Sequence, residues 1–401
     1  MRSGRMTGPT QPKHRSVYSF HSADNPVGEV PLFSSFLCPH SLVPLLVPVP
    51  VGSSRKTRSQ MCVAQIVAQV AGVVLLALAT WACSAAIGEE RGRALTQDEI
   101  KAGQFTLKSA RLTATLMVPD QPSSVYGGQR FESGGVVLQV SLDGQHTFLG
   151  KEPRGERLGG FGLIEEMGIS KAVGYEDAKE GEPFLKLGVG LLQRPQRPDY
   201  FFFPPFAEVE RFPWDVAVAA KAATFVQVGK PFRGTAYRYE KRVVLDDKEA
   251  TLRIEHVLAN TGEKPLVSDQ YCHDFFAFDG AAPGPDYVVT TGFPTEAEAK
   301  PSPPMVAGER TVTFSEAVKG GVYGRFRGDP PDARSHHFTT RHRGNGLEAI
   351  VAGDFRCAVF ACYADARAVS PEAYAALDVK PGETFRWTRT YAFRAHSPER
   401  Q

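Results

Sequence analysis

Cysteine is scarce in this sequence of 401 residues, and its six cysteines include no Cys-x-x-Cys pair. Three of them precede residue 90, which leaves Cys272, Cys357 and Cys362 in the rest of the chain. An odd number of cysteines without paired spacing indicates neither a disulfide framework nor a zinc site. We therefore expect no bound metal.

The sequence also lacks a dense lysine and arginine stripe beyond residue 60, and it has no glycine-rich phosphate loop or dinucleotide fingerprint. Residues 1–60 hold seven basic and two acidic residues, a net charge of +5. Because the whole chain carries +2, the remainder is weakly acidic. These absences argue against a nucleic-acid partner and against a nucleotide cofactor.

The N-terminal part of the chain has the composition of a leader. Residues 61–88 are uncharged and follow a basic cluster at 55–58. A positive flank, an apolar stretch and small residues are typical of a secretory signal, here with cleavage after Ala86. The run is also long enough for an uncleaved membrane anchor, and Cys83 is a candidate for lipid attachment. Residues 1–60 are predicted to be disordered or to precede the true start. We expect an exported protein, periplasmic or extracellular, that meets a membrane only through this segment.

The remaining sequence predicts a large all-β domain. Glycine (38) and proline (30) are plentiful, which favours turns and short strands over long helices. Thr96–Gly103 predicts one short capped helix within a linker at 89–104, and Asp143-Gly144 predicts a tight hairpin. A single antiparallel β-sandwich over residues 105–401 is therefore expected. The predicted strands are Phe105–Met117, Gly135–Leu142, Gln145–Leu149, Leu185–Leu192, Thr235–Leu245, Ala250–Leu258, Leu266–Phe278, Thr311–Phe314, Gly321–Phe326, Leu347–Val351, Ala358–Tyr363 and Thr384–Phe393.

Three segments carry motifs in a characteristic order: Tyr126–Gly135 (YGGQRFESGG), Leu258–Gly280 (LANTGEKPLVSDQYCHDFFAFDG) and Val369–Phe393 (VSPEAYAALDVKPGETFRWTRTYAF). Together they resemble the galactose-mutarotase-like (aldose 1-epimerase-like) superfamily, in particular a bacterial and fungal branch with the loop Gly162–Gly168 (GLIEEMG). The resemblance covers most of residues 105–395. It implies a large antiparallel supersandwich, a carbohydrate ligand and interconversion of sugar anomers without a cofactor. A non-catalytic carbohydrate-binding module and a polysaccharide lyase or hydrolase are the alternatives on the same scaffold.

Two residues are candidates for acid–base chemistry. Mutarotation needs one group that takes the proton of the anomeric hydroxyl and another that protonates the ring oxygen. The resemblance implies His273 as the acid and Glu372 as the base, so we expect a gap of about one sugar ring between them. The alternatives are a histidine bonded within the sheet, and a solvated loop carboxylate or a first helical turn. Asp269 and Tyr271 share the strand face of His273 and are substrate-binding candidates. In the lyase or hydrolase alternative, Tyr271 or His273 is the acid/base.

Further candidate sugar contacts lie elsewhere in the sequence. The resemblance implies one for Arg130, whose guanidinium suits two hydroxyls or a uronate carboxylate, with a structural ion pair as the alternative. Glu165 and Glu166 are adjacent on a predicted strand, so at most one of them faces the site. His146 is either an exposed turn residue or a substitute for the histidine that Arg157–Phe161 (RLGGF) lacks.

Other aromatic residues and histidines are assigned to the core or to loops. Gln193–Pro213, which is rich in aromatic residues and proline, is predicted either to cap the core or to line a groove where sugar rings stack. His256 alternates with apolar residues and is predicted to be a core histidine. His336, His337 and His342 are predicted to lie in a loop, because their spacing matches no metal site.

Overall fold

A computed structural model describes residues 92–150, 160–197, 199–202 and 206–397. Contacts within the chain separate a unit at Met1–Ile87 from one at Gly88–Gln401, and every described residue belongs to the latter. The predictions for residues 1–60 and 61–88 therefore lie outside the described residues. No helix in the described ranges has the length and apolar character needed to cross a bilayer.

The described residues form one short α-helix and 22 strands, with a 3₁₀ turn at Phe278–Gly280. The helix is α1 (Gln97–Ala102). The strands are β1 (Gln104–Lys108), β2 (Leu112–Met117), β3 (Val137–Leu142), β4 (His146–Thr147), β5 (Leu163–Met167), β6 (Pro183–Lys186), β7 (Gly190–Gln193), β8 (Glu208–Arg211), β9 (Trp214–Val218), β10 (Ala222–Phe232), β11 (Thr235–Leu245), β12 (Thr251–Asn260), β13 (Leu266–Asp274), β14 (Tyr287–Thr291), β15 (Met305–Ala307), β16 (Thr311–Phe314), β17 (Val322–Arg327), β18 (His336–His342), β19 (Leu347–Gly353), β20 (Val359–Ala364), β21 (Val369–Val379) and β22 (Thr384–Ala395).

These strands form three antiparallel sheets in the described part of the chain. The first follows the order β1-β2-β3-β5-β13-β21-β20-β17, with β4 paired to β3, and the second follows β15-β16-β14-β18-β19-β22-β12-β11-β10-β9. The third contains β6, β7 and β8. The predicted all-β antiparallel sandwich is therefore confirmed.

The two large sheets bury one shared core. On β12, alternate residues are buried, including Leu252, Ile254 and Leu258, as the period of two requires. They belong to the same hydrophobic cluster as Leu163 and Phe276 of the first sheet. The first sheet therefore has an inner face, turned towards the second sheet, and an outer face on its other side.

The predicted local signals at the start of the domain are present. Thr96 and Glu99 form a reciprocal capping box at the N-terminus of α1, and Gly103 ends the helix in a left-handed conformation. At the hairpin between β3 and β4, Asp143 (φ 52°) and Gly144 (φ 68°) both adopt positive φ. Asp-Gly suits this turn because glycine carries no Cβ and aspartate tolerates the left-handed region.

Other sequence predictions of local structure were wrong in their boundaries. Phe105–Met117 forms two strands joined by a turn, and Leu185–Leu192 turns back on itself between β6 and β7. His336–His342 is a strand and not a loop, with His336 and His342 buried. Val369–Val379 is also a strand, although Pro371 lies inside it.

Candidate active site

His273 lies on the outer face of β13 and is almost completely buried, with 5% of its surface exposed. Its ring stacks on Phe275 at a centroid distance of 4.0 Å, and its Nδ1 is hydrogen-bonded to the Ser370 hydroxyl. The period of two explains the arrangement, because residues 271, 273 and 275 point to one face of the strand. His273 therefore lies on the same strand face as Tyr271, as the sequence predicts.

Glu372 lies on β21, the neighbour of β13, and its carboxylate directly contacts the imidazole. The distance from His273 Nε2 to Glu372 Oε1 is 3.3 Å, and both side chains are buried. The expectation of a sugar-ring gap between them was wrong, because adjacent antiparallel strands bring their facing side chains into contact. Glu372 is also neither a loop carboxylate nor a helical residue.

Burial moves the pKa values of this pair in opposite directions. It raises the pKa of Glu372 to about 8, and it lowers the pKa of His273 well below its ordinary value, with a smaller contribution from the charge of Arg130. At neutral pH the pair therefore consists of a carboxylic acid and a neutral imidazole. In this form Glu372 donates its proton towards Nε2, and Nδ1–H donates to the Ser370 hydroxyl.

A polar cluster around Glu166 adjoins the pair on the same face. Glu166 Oε1 accepts a hydrogen bond from Lys186 Nζ at 2.8 Å. Its Oε2 accepts from Arg130 Nε at 3.0 Å and from the Tyr271 hydroxyl at 2.8 Å. Arg130 also donates to the Tyr271 oxygen at 3.0 Å. Glu166 therefore remains paired to two cations in a dry environment, which offsets the cost of burying all three charges.

Arg130 is the more exposed partner in its contacts with this cluster. Its guanidinium lies 4.4 Å from the ring centroid of Phe131 and 4.6 Å from that of Phe202. Its side chain retains 11% exposure, whereas Glu166 and Lys186 retain none. Phe202 belongs to the aromatic segment of the sequence, so this part of the segment lies against the site.

Other residues of the same aromatic segment pack into the core under the third sheet. Tyr200 and Phe206 belong with Phe184 to one hydrophobic cluster, and the Tyr200 hydroxyl donates to the Gly168 carbonyl at 2.6 Å. The segment therefore both caps a core and contributes Phe202 to the site.

Tyr374 and Lys186 belong to the site but are not among the residues predicted from the sequence. Tyr374 donates a hydrogen bond to Glu372 Oε2 at 2.8 Å, and its ring stacks on Tyr271 at 4.6 Å. The position of Tyr374 two residues after Glu372 could have indicated its role, because residues two apart on a strand share one face. Pro371 concealed that strand, since proline is rare in central strands. Nothing in the sequence indicates Lys186, because it reaches the site from another sheet.

We use the name outer cluster for the residues that meet on this face: Arg130, Glu166, Lys186, Tyr271, His273, Glu372 and Tyr374.

Three predicted site residues lie apart from the outer cluster. Glu165 points to the inner face, where Lys241 Nζ lies 2.9 Å from its carboxylate, so only Glu166 of the two glutamates belongs to the cluster. The Asp269 carboxylate accepts hydrogen bonds from the backbone amides of Ile169 (2.9 Å) and Ser170 (3.2 Å). These bonds hold a loop in place and leave the carboxylate outside the cluster.

His146 is the third. Its Nδ1 lies 2.8 Å from Asp279 Oδ2, and about a third of each side chain is exposed. The predicted structural role of His256 is confirmed, since its buried ring stacks on Trp387 at 4.5 Å. Among the described residues, no group of histidine, cysteine and acidic side chains has an arrangement suited to a metal ion.

Comparisons with known proteins find solved structures that are similar in fold. No protein-family model and no curated protein matches the sequence. A putative aldose 1-epimerase from Escherichia coli is 13% identical, with a TM-score of 0.48 over 73% of this chain and 99% of its own. A GalM/aldose epimerase homologue from C. elegans has 11% identity and a TM-score of 0.48 over 73% and 99%. A galactose mutarotase-like protein from Lactobacillus casei has 13% identity and a TM-score of 0.47 over 73% and 100%. These are likenesses of fold at low sequence identity.

Proposed function

We propose that this protein is a carbohydrate isomerase that interconverts the anomers of a free sugar, with Glu372 and His273 as the acid–base pair. The observation that carries the proposal is their 3.3 Å contact on a buried sheet face. Because burial moves their pKa values apart, one group holds a transferable proton and the other can accept one at neutral pH.

The short distance suits the chemistry of a hemiacetal. The anomeric hydroxyl oxygen and the ring oxygen are bonded to the same carbon, so a donor and an acceptor in mutual contact can serve both. Glu372 Oε1–H protonates the ring oxygen while His273 Nε2 takes the hydroxyl proton. The bond from C1 to the ring oxygen breaks, and an open-chain aldehyde forms.

Rotation about the C1–C2 bond then presents the other face of the aldehyde. The ring oxygen attacks C1 again, the imidazolium returns its proton to the carbonyl oxygen, and Glu372 regains the proton from the ring hydroxyl. Protons balance over the cycle. These roles are the reverse of those implied by the resemblance, because the pKa directions favour a protonated Glu372 and a neutral His273.

The surroundings of the pair support a sugar ligand. Phe131, Phe202 and Phe275 supply aromatic surface, and the partly exposed Arg130 guanidinium supplies a polar group beside them. Apolar rings with a few oriented polar groups are the usual composition of a small-molecule site. Tyr271 does not support the lyase alternative, because burial raises its pKa well above the ordinary value. A tyrosine base would need the opposite shift.

Polarimetry tests the proposal. Freshly dissolved anomers of a panel of aldoses and uronates are followed with the wild-type chain, Glu372→Gln and His273→Asn. We expect accelerated mutarotation with at least one sugar, and a loss of about a hundredfold or more in either variant. Asp274→Asn is the matched control, since Asp274 is a buried carboxyl on the inner face of β13, bonded to Tyr391.

Four outcomes would contradict the proposal. Sugar binding without accelerated mutarotation would support a binding module. An unsaturated product that absorbs in the ultraviolet would support a lyase, and new reducing ends from a polysaccharide would support a hydrolase. A wild-type rate that survives both substitutions would remove the pair from the mechanism.

A further inference from the structure

The second oxygen of Glu372 is held by a side chain that has no part in the proposed proton transfers. The Tyr374 hydroxyl donates to Glu372 Oε2 at 2.8 Å, while Oε1 faces His273 Nε2. The Tyr374 ring is fixed by its stacking on Tyr271, at a centroid distance of 4.6 Å and an interplanar angle of 9°. The two oxygens of one carboxyl group therefore have different partners.

A second strand adjoins this tyrosine pair. Tyr323, on β17, packs against the buried cluster that contains Tyr271 and Tyr374. The aromatic ring that holds Glu372 Oε2 therefore lies within a packed group of tyrosines and has a defined place.

The direction of the bond to Glu372 follows from the chemistry of the phenol. Tyr374 carries one O–H, and that O–H points at Glu372 Oε2. An oxygen that accepts such a bond is disfavoured as the site of the carboxyl proton, which leaves Oε1.

We propose that Tyr374 is a positioning residue that keeps the exchangeable proton of Glu372 on Oε1, between the carboxyl group and His273. The inference rests on the proposed function, because it assigns the oxygen that acts as the acid. Tyr374 does not touch the sugar in this scheme.

Nitrogen NMR of the full-length protein with ¹⁵N-labelled histidine tests the proposal without any turnover. His273 is assigned by comparison with His273→Asn. In the wild type we expect the tautomer with the proton on Nδ1. In Tyr374→Phe, Oε2 loses its donor, so the carboxyl proton can occupy Oε2 and Oε1 can accept from Nε2–H. The second tautomer should then become comparably populated.

Mutarotation kinetics provide the second measurement. We expect kcat to fall about tenfold in Tyr374→Phe, with KM within twofold, because one hydrogen bond to an ionisable group is lost. Tyr237→Phe is the control: Tyr237 is a buried tyrosine of the second sheet whose hydroxyl donates to Gln227 at 2.7 Å. It should change neither the tautomer nor the rate.

The two measurements separate failure of this inference from failure of the proposed function. A wild type without mutarotation, but with a tautomer that depends on Tyr374, would retain the positioning role and overturn the enzyme. An active wild type whose tautomer and kcat are unchanged in Tyr374→Phe would overturn the positioning role alone. A tautomer change of equal size in Tyr237→Phe would also overturn it, because the effect would not depend on contact with Glu372.

Discussion

The two faces of the first sheet carry two polar clusters built from neighbouring residues of the same strands. On β5, Glu166 joins the outer cluster, whereas Glu165 points inwards; on β13, Tyr271 and Gln270 divide in the same way. The inner face also carries residues from the second sheet. We use the name inner cluster for Glu132, Glu165, Lys241, His256, Gln270 and Arg389.

The buried carboxylates of the inner cluster lie close to positively charged side chains. Lys241 Nζ lies 2.7 Å from Glu132 and 2.9 Å from Glu165, and Arg389 lies 3.2 Å from Glu165. Burial alone would raise the pKa of Glu165, but neighbouring positive charge holds it well below the ordinary range. Because burial lowers the pKa of His256, Lys241 and Arg389 are the cations responsible.

Glu372 is buried to the same degree, and no lysine or arginine among the described residues is paired with it. Its partners are the neutral imidazole of His273 and the Tyr374 hydroxyl, so burial dominates and its pKa rises to about 8. Glu165 and Glu372 therefore differ in protonation at neutral pH although both are buried. The position of the cations, and not burial, thus separates a structural carboxylate from a candidate catalytic acid in this sheet.

The largest effect is expected from Lys241→Met. It leaves Glu132 and Glu165 buried without their shared cation, so the free energy of unfolding should fall by roughly 3–5 kcal/mol. Urea denaturation of the full-length protein measures it. Lys186→Met is the matched variant in the outer cluster and should cost less, because Glu166 retains Arg130 and Tyr271. Equal decreases in the free energy of unfolding would show that both clusters depend on their lysine to the same extent.

The next effect concerns Glu372→Gln and pH. The folded-state pKa of Glu372 is raised above its unfolded value, so its contribution to stability is complete below the unfolded pKa and is lost as pH rises towards about 8. Glutamine does not titrate, so the variant does not lose stability in this way as the pH rises. Relative to the wild type, its free energy of unfolding should therefore increase by roughly 2–4 kcal/mol between pH 5 and pH 8. Urea denaturation across this range measures the difference, and a constant difference would contradict the assigned pKa.

The smallest effect is expected from His146→Ala, outside both clusters. The His146–Asp279 pair is partly exposed, so its removal should change the free energy of unfolding by less than about 0.5 kcal/mol. Mutarotation should also be unchanged, because His146 does not touch the outer cluster. A clear rise in KM would return His146 to the list of sugar contacts and extend the site beyond that cluster.

The parts of the site that sequence could predict follow from strand periodicity. Alternation on β13 places Tyr271 and His273 on one face, and adjacency alone separates Glu165 from Glu166. Lys186, Lys241 and Tyr374 could not be assigned in this way. Two of them approach from other sheets, and Tyr374 lies on a strand that Pro371 concealed.

Local sequence is enough to specify the elements and the faces of the strands: the capping box of α1, the Asp143-Gly144 hairpin, and the side of β13 that carries His273. These depend on residues near one another in the chain, where backbone geometry sets which side chains share a face. The contact between His273 and Glu372 depends instead on the pairing of distant strands. So does the contact of Glu165 with Lys241 and Arg389, whereas no lysine or arginine among the described residues is paired with Glu372. Protonation depends on burial and on the distance to charges from remote parts of the chain, and no local pattern contains that information.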